Sequence, residues 1–250
     1  MRNVKLTIEY DGTSYQGWQV QGESPTVQKA LEEAIRRVVQ HPVRVIGSGR
    51  TDTGVHALGQ AASFFTSSQI PEKDLAHAIN ACLPRDIAVL SAQDAPPDFH
   101  ARYSATGKTY RYTILNRDIR SPLLRNYAWH LRSALEVDKM IAASKHLIGE
   151  HDFQAFRSKA SDEMSSVRTI TRLDVARRDS LIEIHVSANG FLYNMVRAIA
   201  GTLVQAGTGR IQPEDVKRIL DSRNRSLAGP TAPARGLCLL AVEYPTRSSG

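Results

Sequence analysis

Apolar and polar residues alternate from the start of the chain. Val4, Leu6, Ile8 and Tyr10 occupy every second position, the period of a strand with one buried face. After the loop "DGTSYQGW" the period lengthens. Val27, Ala30, Leu31, Ala34, Ile35 and Val38 recur at helical spacing. Ser24-Pro25 ahead of them reads as an N-cap followed by a proline in the first turn. "VRVIGSG" and "QAASFFT" are the next two predicted strands, with a glycine-rich loop between them. A second helix is predicted over Glu72 to Leu83, with Leu75, Ile79, Cys82 and Leu83 facing inward and a stop before Pro84. "IAVLSA" gives a fourth strand. The order βαββαβ is the ferredoxin-like arrangement.

A similar order recurs, with additions, after "PPDFHARYSAT". "KTYRYTIL" and "YAWHL" read as strands, and Glu136 to Ile148 as a helix with Gly149 as its C-cap. "RTITRLDVARRDSLIEIHVS" is a predicted hairpin turning at Arg178-Asp179-Ser180. A long helix with the apolar stripe Leu192, Val196, Ile199 and Leu203 follows, then a short helix from Glu214. "GLCLLAVEY" is the closing strand. The two halves share no residue-level similarity. The loop from Phe153 to Val167 and the tail after Pro245 carry no pattern, and "RSKASDEMSS" reads as a mobile loop that orders on a partner.

A length of 250 residues suits one large domain or two small ones, with enough surface to bury as a core. No apolar run approaches the roughly 20 residues that a membrane-spanning helix needs, and the N-terminus lacks the apolar stretch of a signal peptide. Cys82 and Cys238 have no metal-ligand spacing and read as small buried hydrophobes in a reducing cytosol. No Cys/His cluster points to zinc. The net charge of +7 is unevenly shared. Residues 1–104 hold 10 basic and 11 acidic side chains, and residues 105–250 hold 22 and 14. A polyanionic partner is the simplest functional reading of that surplus.

Candidate chemistry sits in "GSGRTDTGVHALGQ", Gly47 to Gln60. A dinucleotide fingerprint would need glycine where Asp52 stands, and no Walker lysine is present. Asp52-Thr53-Gly54 matches the tripeptide of aspartic proteases, but those enzymes share one proton between two carboxylates. This chain has one such tripeptide, and Arg50 beside it favours full ionisation. The remaining reading is a single charged aspartate acting as a nucleophile or base. Glycines at 47, 49 and 54 would let the backbone turn and a substrate approach.

This stretch resembles the active-site motif of the TruA family of tRNA pseudouridine synthases. "YDGTSYQGWQVQ", "DFHARYSATGKTYRY", "NGFLYNMVRAIAGTLVQAG" and "APARGLCLLAVEYP" resemble further blocks of that family, in order and over nearly the whole chain. The resemblance implies an α+β fold of two ferredoxin-like halves, residues 1–104 and 105–250, with a merged, mainly antiparallel sheet and a central cleft. It implies isomerisation of uridine to pseudouridine at positions 38–40 in the anticodon stem-loop of tRNA, by a cytoplasmic homodimer without metal or other cofactor.

Residue by residue, the resemblance makes Asp52 the nucleophile, Tyr110 the active-site tyrosine and Arg197 the arginine paired with the aspartate. Arg50 becomes a contact to the flipped base or its RNA. His56 is read two ways, as an RNA contact or as a loop histidine bonded to backbone. Alternation puts Tyr110, Tyr112 and Ile114 on one strand face, so the residues themselves do not choose between the two tyrosines. Arg197 lies off the apolar stripe beside Asn194. Arg157, Lys159, Arg168, Arg172, Arg177 and Arg178 are candidates to track phosphates, whereas His100, Arg102 and His151 read as structural. A non-catalytic RNA-binding module would stack bases on an RNP-type block, and the sequence has none.

Overall fold

The computed structural model describes residues 1–158 and 165–245. Lys159 and the tail after Pro245 lie outside the described residues. The chain forms two compact units, one of residues 1–106 with the segment from Leu239, the other of residues 107–238.

In the first unit, β1 (Arg2–Tyr10) is followed by α1 (Val27–Val39), β2 (Ile46–Gly47), β3 (His56–Thr66), α2 (Glu72–Asn80) and β4 (Ile87–Ala95). β1 is central and antiparallel to both neighbours, with Leu6 opposite Ala62 of β3 and Ala92 of β4. β2 pairs with the far edge of β3, giving the order β4-β1-β3-β2. The alternation of β1 works as expected, because Val4, Leu6, Ile8 and Tyr10 are all buried. Leu31, Ala34 and Ile35 of α1 and Leu75 and Ile79 of α2 complete this core.

Three boundaries differ from the pattern, each for a local reason. The N-cap of α1 is Thr26, whose hydroxyl accepts the Lys29 amide at 3.3 Å. Ser24 and Pro25 therefore precede the helix, and the Pro25 carbonyl accepts the Gln16 amide instead. "VRVIGSG" yields only a two-residue strand. The Val45 amide donates to Glu32 Oε1 and its carbonyl accepts from Gln28 Nε2, both at 3.0 Å, so α1 side chains replace the ladder there. α2 stops at Asn80, whose side chain brackets Val89 of β4 through the amide and the carbonyl. Cys82 beyond it is half-buried rather than in the core.

The second unit begins with β5 (Gly107–Asn116), β6 (Trp129–Leu131) and α3 (Val137–Ser144). It continues through β7 (Gly149–Asp152), β8 (Val167–Arg178), β9 (Leu181–Ala188), α4 (Met195–Gly207) and α5 (Asp215–Ser222). Its sheet runs β5-β9-β8-β7, all antiparallel, with β6 parallel to the end of β5. The β8–β9 hairpin turns on Asp179 and Ser180 as expected, with Asp179 at a φ of 53°. The helix expected to reach Ile148 ends at Ser144, and a single 3₁₀ turn follows. Gly149 opens β7 rather than capping a helix. β7 is four residues long with no apolar alternation, so only its backbone ladder to β8 reveals it. β10 (Leu237–Glu243) closes the set; from Leu239 it belongs to the first unit, beside β3.

α4 is buried on nearly all sides, not along one stripe. The segment from Ala228 to Ala232 lies against it. The Thr202 hydroxyl accepts the Gly229 amide at 2.8 Å, and the Arg197 carbonyl accepts the Ala232 amide at 3.1 Å. A β-carbon at Gly201 would overlap the Pro230 carbonyl oxygen. Gly201→Ala is therefore expected to destabilise the chain by about 1–3 kcal/mol. At roughly 2–4 °C per kcal/mol, calorimetry should show a thermal midpoint lower by several degrees; an unchanged midpoint would contradict this packing.

Candidate active site

Asp52 is half-buried in the turn that leads into β3, and backbone contacts place it. The Thr51 carbonyl accepts the Trp18 amide at 3.0 Å, and the Thr51 hydroxyl lies 2.7 Å from the Tyr10 hydroxyl at the end of β1. The Asp52 carbonyl accepts the Val55 amide at 3.1 Å, and the Gly54 amide reaches the Tyr15 carbonyl at 3.4 Å. Residues 10–18 thus lie directly along residues 51–55.

The approach is close enough to exclude side chains. A β-carbon at Gly12 would overlap the Val55 carbonyl. Gly17 has a φ of +84°, and a β-carbon there would stand 2.6 Å from the Thr51 carbonyl oxygen. Trp18, only 3% exposed, seals the stem of the loop. A β-carbon at Gly47 would meet its indole at 2.5 Å. Gly47 therefore makes room for Trp18.

The other arm of the loop is fixed by Gln60, which is fully buried in β3. Its carbonyl oxygen accepts from the Ser48 hydroxyl at 2.7 Å, and its amide donates to the Gly49 carbonyl at 3.1 Å. A buried primary amide costs stability unless it is bonded; here its partners are the loop stem itself.

Arg50 is exposed, two residues before Asp52. His56 is the first residue of β3 and only 6% exposed. Its Nδ1 lies 3.1 Å from both the Gly12 amide and an Asp11 carboxylate oxygen. The first unit thus holds Asp52, Arg50 and His56 in one corner.

Tyr110 and Arg197 belong to the second unit. Tyr110 is 8% exposed and meets Phe191 edge-on, with centroids 5.1 Å apart. Tyr112, on the same face, donates its hydroxyl to the Pro233 carbonyl at 2.8 Å. Burial pushes the Tyr112 hydroxyl well above the usual tyrosine range. Its hydrogen bond commits Tyr112 to structure, a distinction that alternation alone did not make. Arg197 stands in the first turn of α4. Its Nε donates to the Ala232 carbonyl at 2.7 Å and one Nη to the Asn194 side chain at 2.8 Å.

Several arginines read as phosphate contacts are engaged within the chain. Arg177 donates to Asn116 and to the Leu135 carbonyl, Arg168 to the Ser165 and Val167 carbonyls, and Arg172 pairs with Asp174. His151 bonds the Ile148 carbonyl. Among the described residues, no group of three His, Cys, Asp or Glu side chains could hold a metal, and no helix is long and apolar enough to cross a membrane.

The sequence model of the tRNA pseudouridine synthase family matches residues 6–104 and 143–245. The chain belongs to this family. It is 49% identical over 245 residues to tRNA pseudouridine synthase A 2 of Clostridium tetani, covering 97% of this chain and 99% of that one. The corresponding protein of Clostridium perfringens is 50% identical over 244 residues, covering 98% and 100%. Among solved structures, an H/ACA RNP bound to a substrate RNA containing 2′-deoxyuridine gives a TM-score of 0.35 at 10% identity, over 81% of this chain and 52% of that one. As a pseudouridine synthase, the chain is an isomerase acting on uridine in tRNA.

Sequence reasoning missed Gly12, Gly17 and Gln60 as supports of the Asp52 turn. The signal was present in "YDGTSYQGW", where two glycines bracket a polar run, but only the fold shows what they face. Gly17→Ala combines a left-handed φ with a clash. It is expected to displace Asp52 and lower pseudouridine formation by at least tenfold, with a smaller effect on the urea midpoint; activity within twofold of wild type would show that the clamp does not position the acid.

Proposed function

We propose that the chain converts uridine to pseudouridine at positions 38–40 of the anticodon stem-loop, with Asp52 acting as nucleophile on a flipped-out uridine. The observation that supports this reading best is the clamped turn. The Asp52 carboxylate stands half-buried in a turn whose arms are fixed by the backbone of residues 10–18 and by the Gln60 side chain, the preorganisation a nucleophile needs.

The reaction needs little else. With Asp52 as nucleophile, its carboxylate bonds C1′ as the N1–C1′ bond breaks, the freed uracil anion rotates, C5 attacks C1′ and expels the carboxylate, the C5 proton leaves and N1 takes up a proton. Atoms and electrons balance without a redox partner or group donor. Tyr110 takes the role of flat surface for the uracil, since base–aromatic stacking is worth roughly 1–3 kcal/mol. Arg197 takes the charge-balancing role that the family resemblance gives it. Arg50, exposed beside the acid, is assigned to the RNA. His56 is assigned to the substrate side of the same corner, its ring held against Asp11 and Gly12.

The first unit's order β4-β1-β3-β2 supports its reading as a ferredoxin-like half. The working unit is proposed to be a cytoplasmic homodimer.

Asp52→Ala should abolish tritium release from tRNA carrying C5-tritiated uridine while leaving tRNA affinity within about threefold. Normal release by that variant would refute Asp52 as nucleophile. With phosphate contacts in the second half, tRNA affinity should also fall steeply between low and moderate salt. A flat salt response in equilibrium binding would remove the electrostatic part of the reading and leave the chemistry standing.

A further inference from the structure

Residues 96–104, "PPDFHARYS", form a strap across the sheet face of the first unit that carries Asn3, Lys5 and Ser63. Its backbone is tied down at several points. Asn3 donates its amide to the Pro96 and Phe99 carbonyls, at 2.9 and 2.7 Å. The Ser63 hydroxyl accepts the Ala101 amide, and the Tyr244 hydroxyl donates to the Ala101 carbonyl at 2.7 Å. Lys5 lies over the Tyr244 ring at 4.3 Å and the Phe99 ring at 5.7 Å. Ser104 and His100 close a turn through two further bonds.

His100 completes the base of the strap. Its Nδ1 accepts both the Arg102 and the Tyr103 amides at 3.2 Å, which assigns the ring proton to Nε2. The imidazole stacks on Tyr103 with centroids 4.3 Å apart and planes 29° apart. The Arg102 guanidinium lies 5.7 Å from the same ring. Tyr103 itself is 76% exposed. A ring that is mostly in water gains little from burial, yet its backbone and one neighbour are fixed. This is a preorganised aromatic surface beside a cation.

We propose that Tyr103, with His100 beneath it and Arg102 beside it, is a second tRNA contact: a platform on which an unpaired base stacks while Arg102 meets the adjoining phosphate. Unstacked bases are recognised on aromatic rings and guanidinium planes, and Arg102 complements the polyanion's charge. The strap is anchored at Ser63, seven residues along β3 from His56. At the rise of a strand that is about 23 Å, so the base it holds is not the uridine that reacts. The proposal rests on tRNA being the substrate. It assigns Arg102 and His100 a binding role that their sequence context did not suggest.

The test uses the full chain, a full-length unmodified tRNA, and the variants Tyr103→Ala, Tyr103→Phe and Arg102→Ala, with Asp52→Ala alongside. Tyr103→Ala should weaken tRNA binding roughly tenfold, raising KM with kcat within about twofold. Tyr103→Phe should restore binding to within about twofold, because the ring and not the hydroxyl carries the contact. Arg102→Ala should weaken binding and flatten its salt dependence. Wild-type affinity and KM in Tyr103→Ala would overturn the platform, as would a Phe variant as weak as the Ala variant. Tritium release by Asp52→Ala would sink the nucleophile assignment and leave the Tyr103 result intact, so the two failures are distinguishable.

Discussion

The backbone of residues 10–18 lies against the backbone of residues 51–55, and the candidate chemistry depends on that contact. Glycine at 12 and 17 is what permits it. Each amide–carbonyl bond across the contact contributes only about 1 kcal/mol net. Its larger effect is geometric. With Thr51 held by Trp18 and Tyr10, and Asp52 closing its own turn on Val55, the position of the Asp52 backbone is set by main chain. Gln60 ties the opposite arm of the loop to the buried side of β3. The turn is thereby fixed on both arms, although it is glycine-rich.

The basic surplus is used in an analogous way. Of the 32 basic residues, 24 are arginine, and many of these guanidinium groups hold carbonyl oxygens in loops. Arg225 donates to Gly229 and Thr231, Arg235 to Ala128, and Arg197 to Ala232. A planar fork with several donors can satisfy two acceptors at once, which lysine's point charge does less well. Net charge alone therefore overstates the positive surface open to an RNA. Arg177 is the clearest case, since its position on β8 reads as a phosphate contact and its guanidinium holds Asn116 and Leu135.

Periodicity carried most of the fold. β1 and β9 follow their apolar alternation, because each has one buried face. The pattern failed where side chains replaced main-chain partners. Glu32 and Gln28 shorten β2, and Asn80 ends α2 early; neither effect leaves a trace in hydropathy. For α4 it was incomplete: the expected stripe of Leu192, Val196, Ile199 and Leu203 is buried, but so are most other positions of the helix. At the candidate site, the sequence singled out Asp52 through its flanking blocks and their resemblance to the family. The roles of Gly12, Gly17, Gly47 and Gln60 were not, because each depends on a residue far away in sequence.

The two indoles of the chain fall one to each unit. Trp18 is packed against Gly47 and tilted over Tyr10, and Trp129 stands edge-on to Tyr112. Loosening of the turn around the acid would bring water to the first indole and leave the second unchanged. The protein therefore carries its own optical gauge of order in the Asp52 turn, with an internal reference in the other half of the chain.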